Sequence, residues 1–211
     1  MIRGRFITLE GGEGVGKSTQ VKRLVALLQV HGHEVLTVRE PGGTPLGEKI
    51  RALLKDERQD PPVDEAELLL FLAARAQLVR EVIEPALARG VWVVSDRFSD
   101  STRAYQGYGR GLSLDFIDAA NRFACAGLVP DRTFLLEASP VVTASRMRAR
   151  EAATATTADR IEQAGDDFHA RLAEGFRAMA AADPVRIVRI SAEGTPADVE
   201  AQIWKSLKPM L

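Results

Sequence analysis

The chain has 211 residues, of which 45% are hydrophobic and 27% are charged, and its 28 basic and 29 acidic side chains give a formal net charge of −1. This composition indicates a folded globular protein rather than a disordered chain, and the near-zero charge argues against a general binder of nucleic acid or of membrane surfaces. The single cysteine, Cys125, cannot form an internal disulfide, so we expect a reducing, cytoplasmic environment.

Short apolar runs rich in β-branched residues alternate along the chain with segments of helical periodicity. The pattern predicts one α/β domain over residues 1–211, with a five-stranded parallel sheet and helices on both faces. The predicted strands are Phe6–Leu9, Glu34–Val38, Val91–Ser95, Thr133–Leu136 and Val185–Ile190. The predicted helices are Lys17–His31, Gly47–Leu54, Asp64–Arg89, Leu114–Ala124, Pro140–Arg150, Arg160–Ala182 and Pro196–Lys208.

Glycine and proline mark where these elements end or change. Gly32 and Gly90 stand where helix-ending glycines are expected, and Pro85 predicts a kink or a break in the third helix. Two stretches lack a clear period: the polar Asp56–Val63, which contains paired prolines, and Glu151–Ala158, which is made mostly of small residues. We expect both stretches to be irregular and mobile.

The first predicted strand leads through a glycine-rich loop into a helix. Residues 11–18, GGEGVGKS, fit the phosphate-binding pattern GxxxxGK[ST] at every fixed position. Glycines allow successive backbone N–H groups to point at phosphate oxygens, while Lys17 is expected to reach the β- and γ-phosphates and Ser18 to ligate Mg²⁺. A dinucleotide site would need a third glycine where Lys17 stands. The candidate triphosphate-binding residues are Gly11, Gly12, Glu13, Gly14, Val15, Gly16, Lys17, Ser18 and Thr19.

The third predicted strand ends in a charged pair. An apolar run closing on Asp96 is typical of a carboxylate that holds Mg²⁺ directly or through water, and Arg97 beside it is suited to donate charge-assisted hydrogen bonds to a phosphate. The pair indicates a second phosphate site facing the first. A guanine-nucleotide switch is disfavoured, because the only asparagine, Asn121, is followed by Arg122 and the Asn-Lys-x-Asp motif is absent.

Several motifs together resemble the signature of the thymidylate kinase family. They are DRF at 96–98 followed by STRAYQG at 101–107, REPGG at 39–43, FLAAR at 71–75 and DRIE at 159–162. The resemblance extends from the first strand to about residue 170. It implies a nucleoside-monophosphate-kinase fold with a mobile lid at about 146–160, phosphorylation of dTMP by ATP with Mg²⁺, and a homodimer that engages neither nucleic acid nor membrane.

The resemblance also implies a binding site for dTMP. Phe71 would stack on thymine, and Arg75, four residues later on the same helix face, would reach the edge of the base. Arg39 and Arg97 would hold the dTMP phosphate, with Pro41 shaping the pocket.

Four further residues complete the implied dTMP site. Tyr105 would pack under the deoxyribose and leave no room for a 2′-hydroxyl, Thr102 would contact the base, and Gln106 is a weaker candidate beside it. Glu13, within the phosphate loop, would either meet the sugar 3′-hydroxyl or arrange the arginines on the acceptor side.

Catalysis is expected to come from alignment and charge neutralisation, because the acceptor oxygen of a phosphate is already anionic and needs no strong general base. The phosphate loop holds no arginine, and for family members of this kind the resemblance implies that arginines of the lid supply positive charge. Arg146, Arg148 and Arg150 are spaced by two, so at most two share a helix face. Arg148 or Arg150 would reach the γ-phosphate and Arg146 would lie nearer adenine. The candidate catalytic residues are Lys17, Arg97, Arg148 and Arg150.

Two other functions remain open from the sequence. A deoxynucleoside or other nucleotide kinase is the nearer one; a nucleoside kinase needs a base to deprotonate a hydroxyl, for which Glu13 or Glu40 would serve. Arg39 and Arg97 favour an acceptor phosphate instead. A non-enzymatic ATP-binding scaffold is disfavoured, because it would not need the intact lysine, serine, aspartate and arginine of the two phosphate sites.

Overall fold

A computed structural model of the protein describes residues 3–56, 60–154 and 165–211. The strands are β1 (Phe6–Glu10), β2 (Val35–Arg39), β3 (Trp92–Asp96), β4 (Arg132–Glu137) and β5 (Ile187–Ser191). They form one sheet in the order β2-β3-β1-β4-β5, and every neighbouring pair is parallel. The strand that precedes the phosphate loop therefore lies at the centre of the sheet.

Helical segments connect and cover these strands. The α-helices are α1 (Lys17–Val30), α2 (Pro45–Lys55), α3 (Asp64–Leu78), α4 (Glu84–Ala88), α5 (Ser99–Thr102), α6 (Leu114–Ala124), α7 (Pro140–Thr154), α8 (Asp166–Ala182) and α9 (Pro196–Leu207). The π-helical segments are Val79–Ile83 and Arg103–Gly109, and a 3₁₀ turn spans Lys208–Met210. No helix within the described ranges is both long and apolar enough to cross a membrane.

Both faces of the sheet are buried. On one face, Ile7 and Leu9 of β1 pack with α1 and α9, and on the other Phe6 and Val93 pack with the helices from α3 to α4. A strand covered on both sides is largely apolar on both of its faces, which explains the continuous rather than alternating runs in the sequence. The predicted five-stranded parallel sheet with helices on both faces is confirmed.

All five predicted strands are present, with ends that shift by one or two residues. Most run further at the carboxyl end, where a polar residue follows the apolar run. Glu10 stays in register with Leu135, and Arg39 with Asp96. The backbone ladder does not depend on side-chain polarity, so the charged residues that end these strands project from a rigid edge.

Gly32 and Gly90 end their helices in the left-handed conformation, with φ of 85° and 84°, as predicted. The kink or break predicted at Pro85 takes a different form, because the chain remains helical from Asp64 to Ala88 and contains a π-helical turn just before the proline. Proline lacks an N–H and crowds the carbonyl four residues earlier, and a wider turn accommodates both effects.

Two helical segments after β3, α5 and the π-helical segment Arg103–Gly109, were not predicted, because they are short and their glycines read as a loop. The sequence places the sixth helix at Arg160–Ala182, and in the described chain it runs from Asp166. Residues 57–59 and 155–164 lie outside the described residues. The second range includes the 159–162 motif, half of the stretch from Glu151 to Ala158 and the distal part of the predicted lid. The first four residues of that stretch continue α7 and are helical rather than irregular.

Candidate active site

The carboxyl ends of β1, β2 and β3 meet at one edge of the sheet, where ligands of parallel α/β folds bind. A cavity of about 650 Å³ opens there. It is walled by nearly all of the residues predicted for the site; the exceptions are Gly11, Gly12 and Arg148. The tertiary structure thus brings the two predicted phosphate sites into one cleft.

The phosphate loop adopts a conformation that depends on its glycines. Gly11, Gly14 and Gly16 have φ of 133°, 71° and 96°, a region that residues with a Cβ rarely adopt. A Cβ on Gly14 would also lie 2.7 Å from the carbonyl oxygen of Thr143 on α7. Glycine is therefore required at this position both for the curl of the loop and for the close approach of α7.

Lys17 closes the loop on itself. Its Nζ donates to the carbonyl oxygens of Gly11 at 3.1 Å and Gly12 at 2.6 Å. The side chain is buried, and burial together with the nearby Arg97 lowers its pKa. The ammonium group is thus held at the base of the loop, where a bound phosphate offers it stronger acceptors than two neutral carbonyls.

Ser18 and Asp96 form the candidate metal site. The Ser18 hydroxyl donates to Oδ2 of Asp96 at 2.7 Å, which places two oxygen donors together at the mouth of the phosphate loop. Mg²⁺ prefers oxygen ligands and takes one or two from protein, with the others supplied by water and substrate phosphates. These residues fit that ion. The described part of the chain shows no group of three histidine, cysteine or acidic side chains around a common point.

Arg97 joins the second phosphate site to the first. Its Nη1 donates to the Gly11 carbonyl at 3.0 Å and to Ser101 Oγ at 3.1 Å, and its Nη2 donates to Glu13. The guanidinium carbon lies 5.0 Å from the centre of the Tyr105 ring, and the tyrosine hydroxyl donates to the same Glu13 oxygen at 3.1 Å. Glu13 therefore contacts an arginine of the acceptor side, which is one of the two roles left open by the sequence.

The charge states of this cluster follow from burial and pairing. Burial alone raises the pKa of Glu13, but Arg97 and Lys17 outweigh it and lower that pKa to about 2. Burial disfavours the Arg97 cation, yet the Glu13 carboxylate raises its pKa. Burial raises the pKa of Tyr105, which stays neutral. The two buried cations thus lie among the acidic side chains of Glu13, Asp96 and Glu10. Arg97, which Glu13 keeps charged, is suited to donate to a phosphate ligand.

Arg39 lies exposed at the rim of the cavity and is held by a residue that sequence reasoning missed. Its Nη2 donates to both carboxylate oxygens of Glu48, at 3.0 and 2.9 Å. Glu48 also accepts from the backbone N–H of Gly43 at 2.7 Å, while Arg51 donates to the carbonyl of Pro41 at 2.9 Å. The turn that carries Pro41 is therefore anchored to α2 by charged side chains.

Arg75 is almost wholly buried, with 1% of its surface exposed, and all of its N–H groups have acceptors in the protein. The Nε donates to Glu40, Nη1 donates to Thr102 at 2.9 Å and Asn121 at 2.6 Å, and Nη2 donates to Glu40 and to the Phe98 carbonyl at 3.1 Å. The predicted contact with the base edge would therefore have to share a donor that is already used. Sequence reasoning missed Glu40 and Asn121 as partners of this arginine.

The other predicted residues for the base lie near it. Phe71 is half-buried on α3, packs beside Ile50 and Leu54 of α2, and lines the cavity. Gln106 is buried and donates through Nε2 to Glu67 at 2.9 Å. The amide of Gln106 is thus oriented by a buried carboxylate that the sequence pattern alone did not single out.

The three predicted lid arginines separate on α7. Arg146 and Arg150, one turn apart, line the cavity, whereas Arg148 does not; Arg148 and Arg150 are both exposed. Arg146 donates to the carbonyls of Val15 at 3.3 Å and Gly194 at 3.2 Å. Arg150 is close enough to contribute to lowering the pKa of Glu13.

Comparisons with known proteins agree with this geometry. Residues 9–203 match the family model described as Thymidylate kinase. A thymidylate kinase of a Synechococcus species is 52% identical over 206 residues, which cover 98% of this chain and 95% of the relative. Another, from Methylococcus capsulatus, is 48% identical over 211 residues, which cover 100% and 98%. The crystal structure of thymidylate kinase from Ehrlichia chaffeensis matches with a TM-score of 0.79 at 31% identity, covering 98% of this chain and 99% of that one.

Proposed function

The chain belongs to the thymidylate kinase family, whose reaction is the ATP-dependent phosphorylation of dTMP, and we propose how its own residues perform that transfer. The observation that carries the proposal is the direct bond between the two phosphate sites, from Arg97 Nη1 to the Gly11 carbonyl at 3.0 Å. An arginine that touches the phosphate loop can hold an acceptor phosphate against the γ-phosphate of the donor. Such alignment is the main source of catalysis in phosphoryl transfer.

On the donor side, the backbone N–H groups of the phosphate loop and the first turn of α1 bind the triphosphate. Lys17 exchanges its carbonyl acceptors for the β- and γ-phosphates. The Ser18 hydroxyl and Asp96 carboxylate would hold Mg²⁺, which supplies charge neutralisation at the transferring group when bound.

On the acceptor side, Arg97 and Arg39 bind the dTMP phosphate. Glu13 keeps Arg97 charged and oriented, and with its pKa near 2 it is a permanent anion rather than a proton acceptor. No base is needed, because the attacking phosphate oxygen already carries negative charge. The bond of Arg39 to Glu48 lies at the exposed rim, where an ion pair is weak, so an incoming phosphate competes with it readily.

We assign the lid arginines from their positions. Arg150 lies beside Glu13, where the transferring phosphoryl group must pass, and it is the candidate for neutralising that group. Arg146 bonds to the loop after β5, at the end of the cavity nearest α9, and is placed for adenine. The assignment of a lid to residues 146–160 is supported by the close contact of α7 with the phosphate loop at Gly14.

In our proposal, selection of the acceptor rests on two contacts, one with the methyl group of thymine and one with the deoxyribose. Burying the thymine methyl group contributes only about 0.8 kcal/mol, which favours dTMP over dUMP severalfold. Exclusion of ribonucleotides is stronger in our proposal, because the buried Tyr105 packs between Arg97 and the aromatic side chains of α8 and cannot easily move aside for a 2′-hydroxyl.

The homodimer and the cytoplasmic location implied by the resemblance are also proposals. The neighbouring helices α3 and α6 expose Leu69, Phe116 and Phe123, and exposed apolar side chains of this size are typical of interfaces. Light scattering coupled to gel filtration would test the dimer directly.

The function is tested by a coupled ADP-release assay with ATP and Mg²⁺. The acceptors are dTMP, dUMP, UMP, CMP, AMP, GMP and thymidine, and Lys17→Ala is the inactive control. We expect turnover to be highest with dTMP, lower with dUMP and nearly absent with UMP and thymidine. Strong turnover with thymidine or a ribonucleotide would overturn the acceptor-site assignments while leaving an ATP-dependent kinase.

A further inference from the structure

A charged side chain lies in the fully buried part of the central strand. Glu10, the last residue of β1, has no exposed surface. A buried carboxylate is costly unless hydrogen bonds satisfy it, so its partners indicate what it is there to hold. All of its hydrogen bonds come from one short segment: from the Phe98 N–H at 2.8 Å, from the Ser101 N–H at 3.2 Å and from the Ser101 hydroxyl at 2.6 Å.

That segment begins with Arg97, whose backbone is strained. Arg97 has φ of 73°, a left-handed conformation that is uncommon outside glycine. Bonds on both sides maintain it: the Ser95 hydroxyl donates to the Arg97 carbonyl at 2.6 Å, and Glu10 holds the next N–H of the chain. The strained turn is what directs the arginine side chain back toward the phosphate loop.

Glu10 also reaches the guanidinium of Arg97 through Ser101. A serine hydroxyl has one hydrogen, and Ser101 donates it to Oε2 of Glu10. The oxygen lone pairs are then free to accept from Arg97 Nη1, at 3.1 Å. The carboxylate thereby fixes the direction of the hydroxyl, and the hydroxyl fixes the direction of the guanidinium.

We propose that Glu10 is a positioning residue for the acceptor phosphate, which it serves by holding the backbone of Arg97 through Phe98 and its side chain through Ser101. Glu10 itself does not line the cavity and touches no substrate in this proposal. The inference rests on the proposed function in one respect, the binding of the dTMP phosphate by Arg97.

The test compares Glu10→Gln, Ser101→Ala and the double variant with the wild type. Glutamine has the shape of glutamate and retains one oxygen for the two N–H donors, but its amide group donates where the carboxylate accepted. The Ser101 hydroxyl then loses the acceptor that orients it toward Arg97. We expect kcat/KM for dTMP to fall about ten- to hundredfold in Glu10→Gln, the range of one hydrogen bond to a charged group. KM for ATP should stay within about twofold.

The two single variants interrupt one chain of bonds, so their effects should not add. We expect the double variant to lose little more than Glu10→Gln alone. Thr8→Val is the matched control, because Thr8 is equally buried on β1 and bonds through its hydroxyl to Thr133 at 2.7 Å. Thr133 bonds in turn to Asp100 and Arg186 rather than to Glu10 or Arg97. Melting temperatures measured in parallel separate positioning from general loss of structure.

Three outcomes would overturn the proposal. They are an unchanged kcat/KM for dTMP in Glu10→Gln, a rise in KM for ATP as large as the rise in KM for dTMP, and additive losses of kcat/KM in the double variant. A merely structural role predicts a lower melting temperature with unchanged kinetic constants in the folded fraction. If the wild-type enzyme itself does not phosphorylate dTMP, the proposed function fails, and that result is distinct from any of these.

Discussion

At the scale of single residues, ionisation decides what each acidic group of the cleft can do. Glu13, paired with Arg97, has a pKa near 2 and cannot accept a proton at neutral pH. Glu40 is buried against Arg75, where each carboxylate oxygen accepts from the guanidinium. Neither of these two residues, the bases considered for a deoxynucleoside kinase, is therefore suited to deprotonate a hydroxyl.

The lid arginines should separate by function. In Arg150→Ala we expect kcat to fall by about a hundredfold or more with little change in either KM, because a charge beside the transferring phosphoryl group acts mainly in the transition state. The loss of kcat in Arg148→Ala should be clearly smaller, because Arg150 lines the cavity and Arg148 does not. Steady-state kinetics of both variants measure the difference. Equal losses, or a larger loss in Arg148→Ala, would contradict the assignment.

Glu10 should leave a signature in the pH dependence of stability. Burial and the nearby Asp100 raise its pKa from 4.5 to about 7. Because the folded chain binds this proton more tightly than the unfolded chain, the stability gained is complete below about pH 4.5 and is lost as the pH rises through about 7. The full effect is about 3 kcal/mol, and Glu10→Gln should abolish it.

Urea unfolding of both proteins between about pH 4.5 and pH 8 measures this effect. We expect the unfolding free energy of Glu10→Gln to rise relative to the wild type as the pH increases. The substitution should therefore be less unfavourable to stability at pH 8 than at pH 4.5, while weakening dTMP turnover. A difference between the two proteins that does not vary with pH would rule out the raised pKa.

At the scale of elements, α8 supports the π-helical segment Arg103–Gly109, whose Tyr105 is proposed to pack under the deoxyribose. Phe168 packs closely on Gly109, since a Cβ at that glycine would lie 2.5 Å from the phenylalanine ring. Arg171 donates to the Gly109 carbonyl at 2.8 Å. Gly175 allows the same close approach to Tyr108. These contacts pack α8 against the π-helical segment Arg103–Gly109, which carries Tyr105.

Gly175→Ala tests this packing, because its expected effect on stability is opposite to that of most glycine-to-alanine substitutions in helices. Replacing glycine by alanine inside a helix normally stabilises it by about 1 kcal/mol. Here the new Cβ would lie 2.5 Å from Cγ of Tyr108, and overpacking of this kind costs about 1–3 kcal/mol. We expect a net loss of stability and a higher KM for dTMP. Ala173→Ser, exposed on the same helix, is the control and should change stability by no more than about 0.5 kcal/mol.

Thermal unfolding and steady-state kinetics give both quantities for Gly175→Ala. A more stable variant, or one with an unchanged KM for dTMP, would show that α8 does not hold Tyr105 in the position proposed for binding the deoxyribose.

At the scale of the whole molecule, our proposal places two nucleotides in one cleft, on opposite sides of Arg97. Each ligand should raise the unfolding free energy by about 2.7 kcal/mol at a hundred times its Kd. Arg97→Ala should remove most of the stabilisation by dTMP and keep that by ATP. Arg80→Ala, which removes an exposed ion pair with Glu84 far from the cleft, is the control. Thermal unfolding with each ligand separately measures the two stabilisations. If Arg97→Ala lost the stabilisation by ATP and that by dTMP equally, separate sites would be contradicted.

The sequence by itself determined the strands, the long helices and the phosphate loop, because each depends on local patterns: apolar periodicity, helix-ending glycines and the fixed spacing from Gly11 to Ser18. The predicted parallel strands also account for the meeting of nearly all of the site residues at one edge of the sheet, because the carboxyl ends of parallel strands lie at the same edge. Family membership, predicted from motifs, was confirmed by the comparisons.

Only the tertiary structure decided which side chains hold which. Arg75 bonds to Glu40 and Asn121, which lie 35 and 46 residues away, and the Ser101 hydroxyl bonds to Glu10 across 91 residues. No local period relates such positions. Burial in the folded chain removes these groups from water, and each buried polar atom must then find its partner among whatever residues the fold places beside it.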